Sequence, residues 1–437
     1  MATLSSPPSR SADSSRSRQV SRRGALRHLA ILGALAGIPW EQAQAELPAL
    51  PSQSLLATDP ERFWTVLRAE QFLLGDRRIF LNPGSLGVVP RPVLQVIVAS
   101  LQRAAEYATD DIERWGYETL EPDRAELAEF LGCAPAELAF THNCTEAMSI
   151  IAGGLDLKAG DEVLMTNQEH GGGSACWRLK AARVGITVRE VEIPVTPQKP
   201  EELSDRLISA IGPRTRILSF SGITSPTGLI LPARQISQAA REKGVLTVVD
   251  GAHMDGQIPV DLHGLGCDYF AGSPHKWMFA PAGCGLLYGR GDALDRLWPC
   301  VVTSGWDNKN EMHAARFMMI GTNNRAMLHG MMAGLRFLKQ LGPEMVYART
   351  RHLAQLVLEH ARRRHYFEPV TPEDLRLSHA IVSLRCTAKN LDALGTALRA
   401  NNINVIAGPR FRISTHIHAR AADIEKLFEI CDSVLAA

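Results

Sequence analysis

Leu246-Thr247-Val248-Val249-Asp250-Gly251-Ala252-His253 is an apolar run closed by a carboxylate, a glycine and a histidine. Leu246 to Val249 reads as a strand bounded by turn chemistry. In open α/β sheets ligands lie beyond the carboxyl ends of the strands, which is where Asp250 falls. Further along, Ser273-Pro274-His275-Lys276-Trp277 offers a lysine in a small, Gly-rich setting. This amine and this acid match what pyridoxal 5′-phosphate requires. It needs an amine to hold it as a Schiff base, and an anion beside its ring nitrogen to keep that nitrogen protonated. Lys276 takes the first role, with the later task of moving a proton at the substrate α-carbon, and Asp250 takes the second.

Working outward, from about Arg77 to Tyr288 helical periodicity alternates with short β-rich runs that end in Gly, Ser or Asp. That is the rhythm of a parallel sheet wrapped by helices. Val163 to Met165, Ile186 to Val191 and Ile217 to Phe220 join Leu246 to Val249 as the clearest strands. Asp123 to Leu131 and Pro232 to Lys243 read as helices, the second stopping at Gly244. Beyond about Glu311 come long helices, Asn324 to Leu341 and Pro343 to Arg363, and then strands at Ala380 to Leu384 and Arg412 to Thr415. The expected class is α/β. An N-terminal arm covers 46–76, a large cofactor-binding domain 77–310, and a smaller α+β domain 311–437.

A phosphate asks for backbone amides and hydroxyls at a helix start. Thr141-His142-Asn143-Cys144-Thr145-Glu146-Ala147 lies between the strand-like Leu138 to Phe140 and the helical Met148 to Leu155, so Cys144 and Thr145 are placed there. An ordinary helix cap by Asn143 or Thr145 would use the same residues. Ser273, three residues before the lysine, adds a hydroxyl. Thr322, in Ile320-Gly321-Thr322-Asn323, is either a further phosphate donor or a turn residue.

Several of these segments act together as markers. They are Leu81-Asn82-Pro83-Gly84-Ser85-Leu86-Gly87 with Pro90, Asn143 to Glu146, Glu169-His170, Ser225-Pro226-Thr227-Gly228, and Val249 to His253 with Gly256 to Leu262. Lys276 completes the set in a Ser-x-His-Lys context followed by Pro281-Ala282-Gly283-Cys284-Gly285. With them the chain resembles the class V aminotransferase-fold family of pyridoxal-phosphate enzymes, particularly its isopenicillin N epimerase-like branch. The resemblance implies fold type I: a mainly parallel seven-stranded sheet plus a smaller α+β domain. It also implies that His170 stacks on the pyridine face, and that His253, with Ser225 nearby, meets the phenolic oxygen. Thr322 would reach the phosphate of the neighbouring subunit in a homodimer. Arg412, in Phe411-Arg412-Ile413-Ser414-Thr415, would grip the substrate α-carboxylate beside Asn82 and Gly84, a task suited to a planar two-pronged donor. Arg410 shares the strand face of Arg412, so spacing alone does not choose between them.

The 437 residues carry 47 Lys plus Arg against 46 Asp plus Glu, a net charge of +1 that points to no nucleic-acid partner. Apolar residues make up 45% and charged residues 21%, a globular balance. No apolar run approaches the ~20 residues a spanning helix needs. The first forty-five residues read as an address. A Ser-, Pro- and Arg-rich start leads to Ser21-Arg22-Arg23-Gly24-Ala25-Leu26-Arg27, then to the weakly apolar Leu29 to Ile38 and the small residues Ala43-Gln44-Ala45. This order resembles a bacterial twin-arginine export signal, which implies passage through the twin-arginine translocase, cleavage near Ala45, a periplasmic location and no membrane anchor afterwards. In kind, the chain is similar to the exported pyridoxal-phosphate enzymes of pyoverdine siderophore maturation.

The eight cysteines are scattered, without the close-spaced pairs that hold zinc or form a redox motif, and read mostly as small core residues. His416-x-His418 has no legible acid or thiol partner, so no metal is expected. Trp115 and Tyr117 suit either the substrate entrance or plain packing. The expected activity is on the amino group or α-carbon of an amino acid or peptidic metabolite, by transamination, oxidative deamination or epimerisation. All three share loss of the Cα proton. The alternatives are a cysteine desulfurase or C–S lyase, and a non-catalytic cofactor-binding protein. Desulfuration needs a mobile persulfide-accepting cysteine near the substrate arginine; Asn404 to Arg412 contains none, and Cys386 lies in a strand-like run.

Overall fold

The computed structural model describes residues 40, 48–108 and 118–436. The expected leader, with its arginine pair and Ala45, and the aromatics Trp115 and Tyr117 lie outside those residues.

Along the chain, β1 (Ile79–Phe80) precedes the seven strands of the main sheet: β2 (Leu138–Thr141), β3 (Glu162–Thr166), β4 (Thr187–Val191), β5 (Thr215–Ser221), β6 (Leu246–Asp250), β7 (Tyr269–Gly272) and β8 (Gly285–Gly289). Their spatial order is β2-β8-β7-β6-β5-β3-β4. The ladder from β7 to β4 is parallel, and β8 runs antiparallel to both β7 and β2. The reversal at β8 follows from its short connection. Only the one-turn helix Pro274–Trp277 and a turn separate it from β7, with no room for a crossover helix.

Strand periodicity divides the apolar residues between two cores. Leu164, Leu218, Phe220, Val249 and Phe270 face one side of the sheet, under helices Ala233–Glu242 and Arg325–Leu341. Val163, Met165, Ile217, Val248 and Ala271 face the other, under helices Cys144–Gly154 and Gly171–Val184. Both faces are covered, which is why β6 reads as an uninterrupted apolar run.

The small domain holds β9 (Phe367–Pro369), β10 (Ile381–Cys386), β11 (Ile403–Asn404) and β12 (Arg410–Ser414), with an antiparallel sheet β12-β10-β9 and a parallel β1–β11 pair. Its core draws in Ile79 and Leu81 from within the stretch assigned to the large domain. Leu81 bridges to Asn404 and Ser414 through backbone hydrogen bonds of 2.9 Å each. This stitch carries the Asn82–Gly87 loop to the mouth of the sheet, a long-range pairing too short to register as a strand in the sequence.

Candidate active site

The loops following β2, β3, β5, β6 and β7 converge at the carboxyl end of the sheet on a cavity of about 560 Å³. Cys144, Thr145, His170, Ser225, Asp250, His253, Ser273, Lys276, Gly84 and Arg412 all line it. Asn82 reaches the same site through Arg412. Thr322 is exposed and lines a separate cavity of about 270 Å³ with Gly321 and Asn323.

Parallel pairing of β6 with β7 puts the two central groups side by side, Asp250 ending one strand and the Lys276 turn following the other. The Asp250 Oδ1 accepts from the Ala252 N–H (3.0 Å), which aims the carboxylate across the end of its own strand. Its Oδ2 faces Gly173, where an added Cβ would sit 2.5 Å away. A Cβ on Gly172 would collide with the Thr145 hydroxyl. The two glycines therefore keep a cradle open between Asp250 and Thr145 that any side chain would fill, as a flat ring with a phosphate tail requires.

Lys276 Nζ lies 3.3 Å from His253 Nε2, and burial lowers the lysine's pKa. The Trp277 indole N–H donates to His253 Nδ1 at 3.3 Å. Burial, with the nearby Lys276 charge, holds the pKa of His253 well below its ordinary value, so the ring is neutral. With Nδ1 accepting, the proton of the neutral imidazole sits on Nε2 and faces Lys276. Trp277 in turn is held from the small domain: its carbonyl is 3.1 Å from His416 Nε2, and the two rings stack at 5.9 Å. His416 and His418 are buried and stacked on each other, 5.7 Å apart. No cluster of three or more metal-ligating side chains occurs among the described residues.

Two residues have partners that the sequence did not indicate. The Cys144 thiol donates to Asp250 Oδ1 (3.2 Å) and the Ala271 carbonyl (3.3 Å), and its backbone N–H donates to Ser273 Oγ (3.2 Å). Burial and the Asp250 charge push this thiol's pKa well up, so it stays protonated. Ser225 lines the same cavity as His253, and its hydroxyl and its carbonyl both accept from Arg412 Nη1 at 2.9 Å. Thr145 stands in the first turn of its helix, whose cap is Asn143 accepting from the Glu146 N–H (2.9 Å). His170 is exposed at the rim and caps helix Gly171–Val184, its Nδ1 accepting from the Gly172 N–H at 3.0 Å.

Arg412 is buried by the junction between domains. Its Nη2 donates to Asn82 Oδ1 (3.3 Å) and Ser85 Oγ (3.1 Å), and Gly84 leaves no space for a Cβ against Ser414 Oγ at 2.7 Å. Burial and the neighbouring Arg410 lower its pKa to about 10, still fully charged near neutrality. Gly87 closes the loop over the lysine turn by donating its N–H to the His275 carbonyl at 2.9 Å.

Four site groups escaped a role in the sequence. His275 lines the cavity beside Lys276, and Trp277 orients His253, although both stand inside a motif already singled out. Glu169, between Thr166 and the Ser221 hydroxyl (2.6 Å), has its pKa raised to about 7 by burial. Asp255 lies beneath the site, accepting from the Ser273 N–H (3.3 Å). Its Oδ2 is buried without a partner, and burial raises its pKa to about 8. Nothing in local spacing distinguishes a buried acid of this kind from a turn residue.

The aminotransferase class-V family pattern matches residues 88–426. The chain is 35% identical over 383 residues to isopenicillin N epimerase of Amycolatopsis lactamdurans, spanning 82% of this chain and 96% of that protein. It is 28% identical over 386 residues to probable cysteine desulfurase 2 of Mycobacterium leprae, spanning 82% and 89%. Among solved structures it superposes on C-DES with glycine covalently linked to its PLP cofactor, with a TM-score of 0.74, 24% identity, and coverage of 82% of this chain and 97% of that one.

Proposed function

We propose, for a chain that belongs to the class-V aminotransferase family and is therefore a pyridoxal 5′-phosphate enzyme of fold type I, that it acts at the amino group or α-carbon of an amino acid or peptidic metabolite. The observation that carries this reading is one cavity holding a buried amine, Lys276, an acid at a strand end, Asp250, and a buried guanidinium, Arg412. The bound cofactor supplies an electron sink that acidifies the substrate Cα–H. The side chains do the rest. Lys276, with its pKa lowered by burial, more readily reaches the neutral form that can act as nucleophile and base. Asp250, fixed by the Ala252 N–H, offers an anion to a protonated ring nitrogen. His253 presents Nε2–H, and Thr145 and Ser273 offer hydroxyls at a helix start for a phosphate. Arg412 trades neutral partners for a carboxylate, orienting the Cα–H toward Lys276.

Transamination and epimerisation share this apparatus and differ in where the proton returns, whereas oxidative deamination starts from the same proton loss and needs an external two-electron oxidant such as dioxygen. The likeness to an epimerase favours epimerisation among them. Desulfuration is disfavoured by the thiols. Cys144 is held protonated against Asp250, and Cys386 is buried within β10. We further propose export to the periplasm by the twin-arginine route, supported by the order of charged, apolar and small residues before Ala45, with a secreted peptide such as a siderophore as a fitting substrate. Homodimer formation is proposed on the exposure of Thr322 and on its lining a cavity other than the one holding Lys276 in its own chain.

The test is to incubate the purified holoenzyme with a panel of amino acids in deuterated water, following α-deuterium incorporation and keto-acid formation. Exchange with inversion and no keto acid identifies an epimerase, and keto acid identifies transamination or deamination. Absence of both with every amine rejects the reading.

A further inference from the structure

We infer that the substrate carries a second acid group, held by Arg410, in addition to the α-carboxylate assigned to Arg412: an acidic amino acid, or a peptidic amine with a carboxylate near the reacting centre. This deepens the proposed function and rests on it for the role of Arg412.

Arg410 and Arg412 are two apart on β12, so their side chains leave the same face, and both line the Lys276 cavity. Phe411 and Ile413 between and after them point into the small-domain core, which fixes that orientation. Neither arginine makes an ion pair with a described residue. Arg412 is held by neutral oxygens of Ser225, Asn82 and Ser85, and its Nε is buried without a partner.

The register of the small sheet sharpens the point. Arg385 stands directly opposite Arg410, and Glu368 stands opposite Arg385. The Glu368 carboxylate is bound to Arg385 (2.6 Å to Nε), so the one acid of this row is already spoken for. Like charges directly opposite across strands destabilise a sheet, and Arg410 has two cationic neighbours, Arg385 and Arg412. Repulsion from Arg410 adds to burial in lowering the Arg412 pKa. A single α-carboxylate neutralises only one guanidinium of the pair. Among the described residues lining the cavity, Asp250 is the only carboxylate, and it lies at the cofactor end. A substrate with two anions offsets the whole of this charge, one anion meeting the buried Arg412 and the other the exposed Arg410 at the cavity mouth.

The test compares the binding of glutamate and 2-aminoadipate with that of glutamine and norleucine, both enantiomers of each, by perturbation of the holoenzyme's visible absorbance. The acids are expected to bind at least about tenfold more tightly than glutamine, as a charge-assisted contact allows. That preference should fall below about twofold in Arg410→Gln and recover in Arg410→Lys. Equal binding of glutamate and glutamine by the natural enzyme, or an undiminished preference in Arg410→Gln, overturns the inference. A second measurement needs no amine chemistry: at constant ionic strength, glutarate should raise the thermal midpoint of the holoenzyme more than butyrate does, and the difference should vanish in Arg410→Gln. No difference in the natural enzyme also overturns it. If no amino acid perturbs the absorbance while glutarate still stabilises through Arg410, the functional reading fails and the two-anion site stands.

Discussion

The two ends of the cavity are built in different ways. At the cofactor end, Asp250, His253, Ser273 and Lys276 come from the ends of two adjacent parallel strands and the turns after them. At the substrate end, Arg412 meets Asn82 across 330 residues of chain and Ser225 across 187, through the packing of one domain on the other. The first end is set by strand pairing within the main sheet and by local order. The second exists only once β1 is stitched to β11 and β12 lies against the Asn82–Gly87 loop. Cofactor chemistry and substrate choice can therefore be altered separately, since the groups responsible stand on different folding units.

The sharpest way to break that separation is at its centre. Lys276→Ala should abolish both the visible absorbance of covalently held cofactor and turnover; retained turnover would mean that another group performs the proton transfer. Next in size, Arg412→Ala should leave the absorbance intact while lowering kcat/KM for amino acids by about a hundredfold or more, since a charged two-pronged contact is lost. Loss of the cofactor band in this variant would show that the two ends are not independent.

Trp277→Phe probes the joint between them. Without the indole donor, the proton of His253 is free to move to Nδ1, and Nε2 ceases to be a fixed donor. The pH midpoint of the holoenzyme's visible band should rise by about half a unit or more, with an unchanged band shape at the extremes. A midpoint equal to that of the natural enzyme would remove Trp277 from any role beyond packing.

The last test lies beneath the cofactor end and reads stability rather than chemistry. Asp255 ordinarily titrates near 3.8, but burial raises it to about 8 in the fold. Below about pH 4 the folded and unfolded chains both carry this proton. As pH rises the unfolded chain releases it first, so the native state loses stability from about pH 4 up to about pH 8. Asp255→Asn removes that dependence. Its thermal midpoint relative to the natural protein should climb across this window, by more than about 1.4 kcal/mol in stability, the equivalent of one pKa unit. Glu169, raised to about 7, acts with the same sign in both proteins and cancels in the difference. A pH-independent difference would show that Asp255 is ionised in the fold.

Much of this site was legible before any coordinates. Asp250 and Thr145 each follow a strand whose apolar run and terminating turn are visible in the chain, and strand ends in a parallel sheet converge by topology; Lys276 and Ser273 stand out by their motif alone, since β7 before them is not singled out as a strand. Helices Arg325–Leu341 and Pro343–Arg362 fall within a residue of their expected limits because long amphipathic periodicity is a strong local signal. Cys144 was less tractable. A residue at a helix start serves a phosphate through its backbone or a neighbour through its side chain, and only the approach of β6 directed the thiol to Asp250. The partner of Ser225 was equally hidden, since Arg412 reaches it from another domain.

The order of residues by itself determined a helix-wrapped parallel sheet with a lysine and an acid at its carboxyl end, because side-chain period and turn chemistry act over a few residues. Only the tertiary structure decided which arginines share the cavity, which tautomer His253 adopts and where Asp255 is sealed from water. Those outcomes depend on distances between segments remote in sequence, and such distances are set when the domains pack.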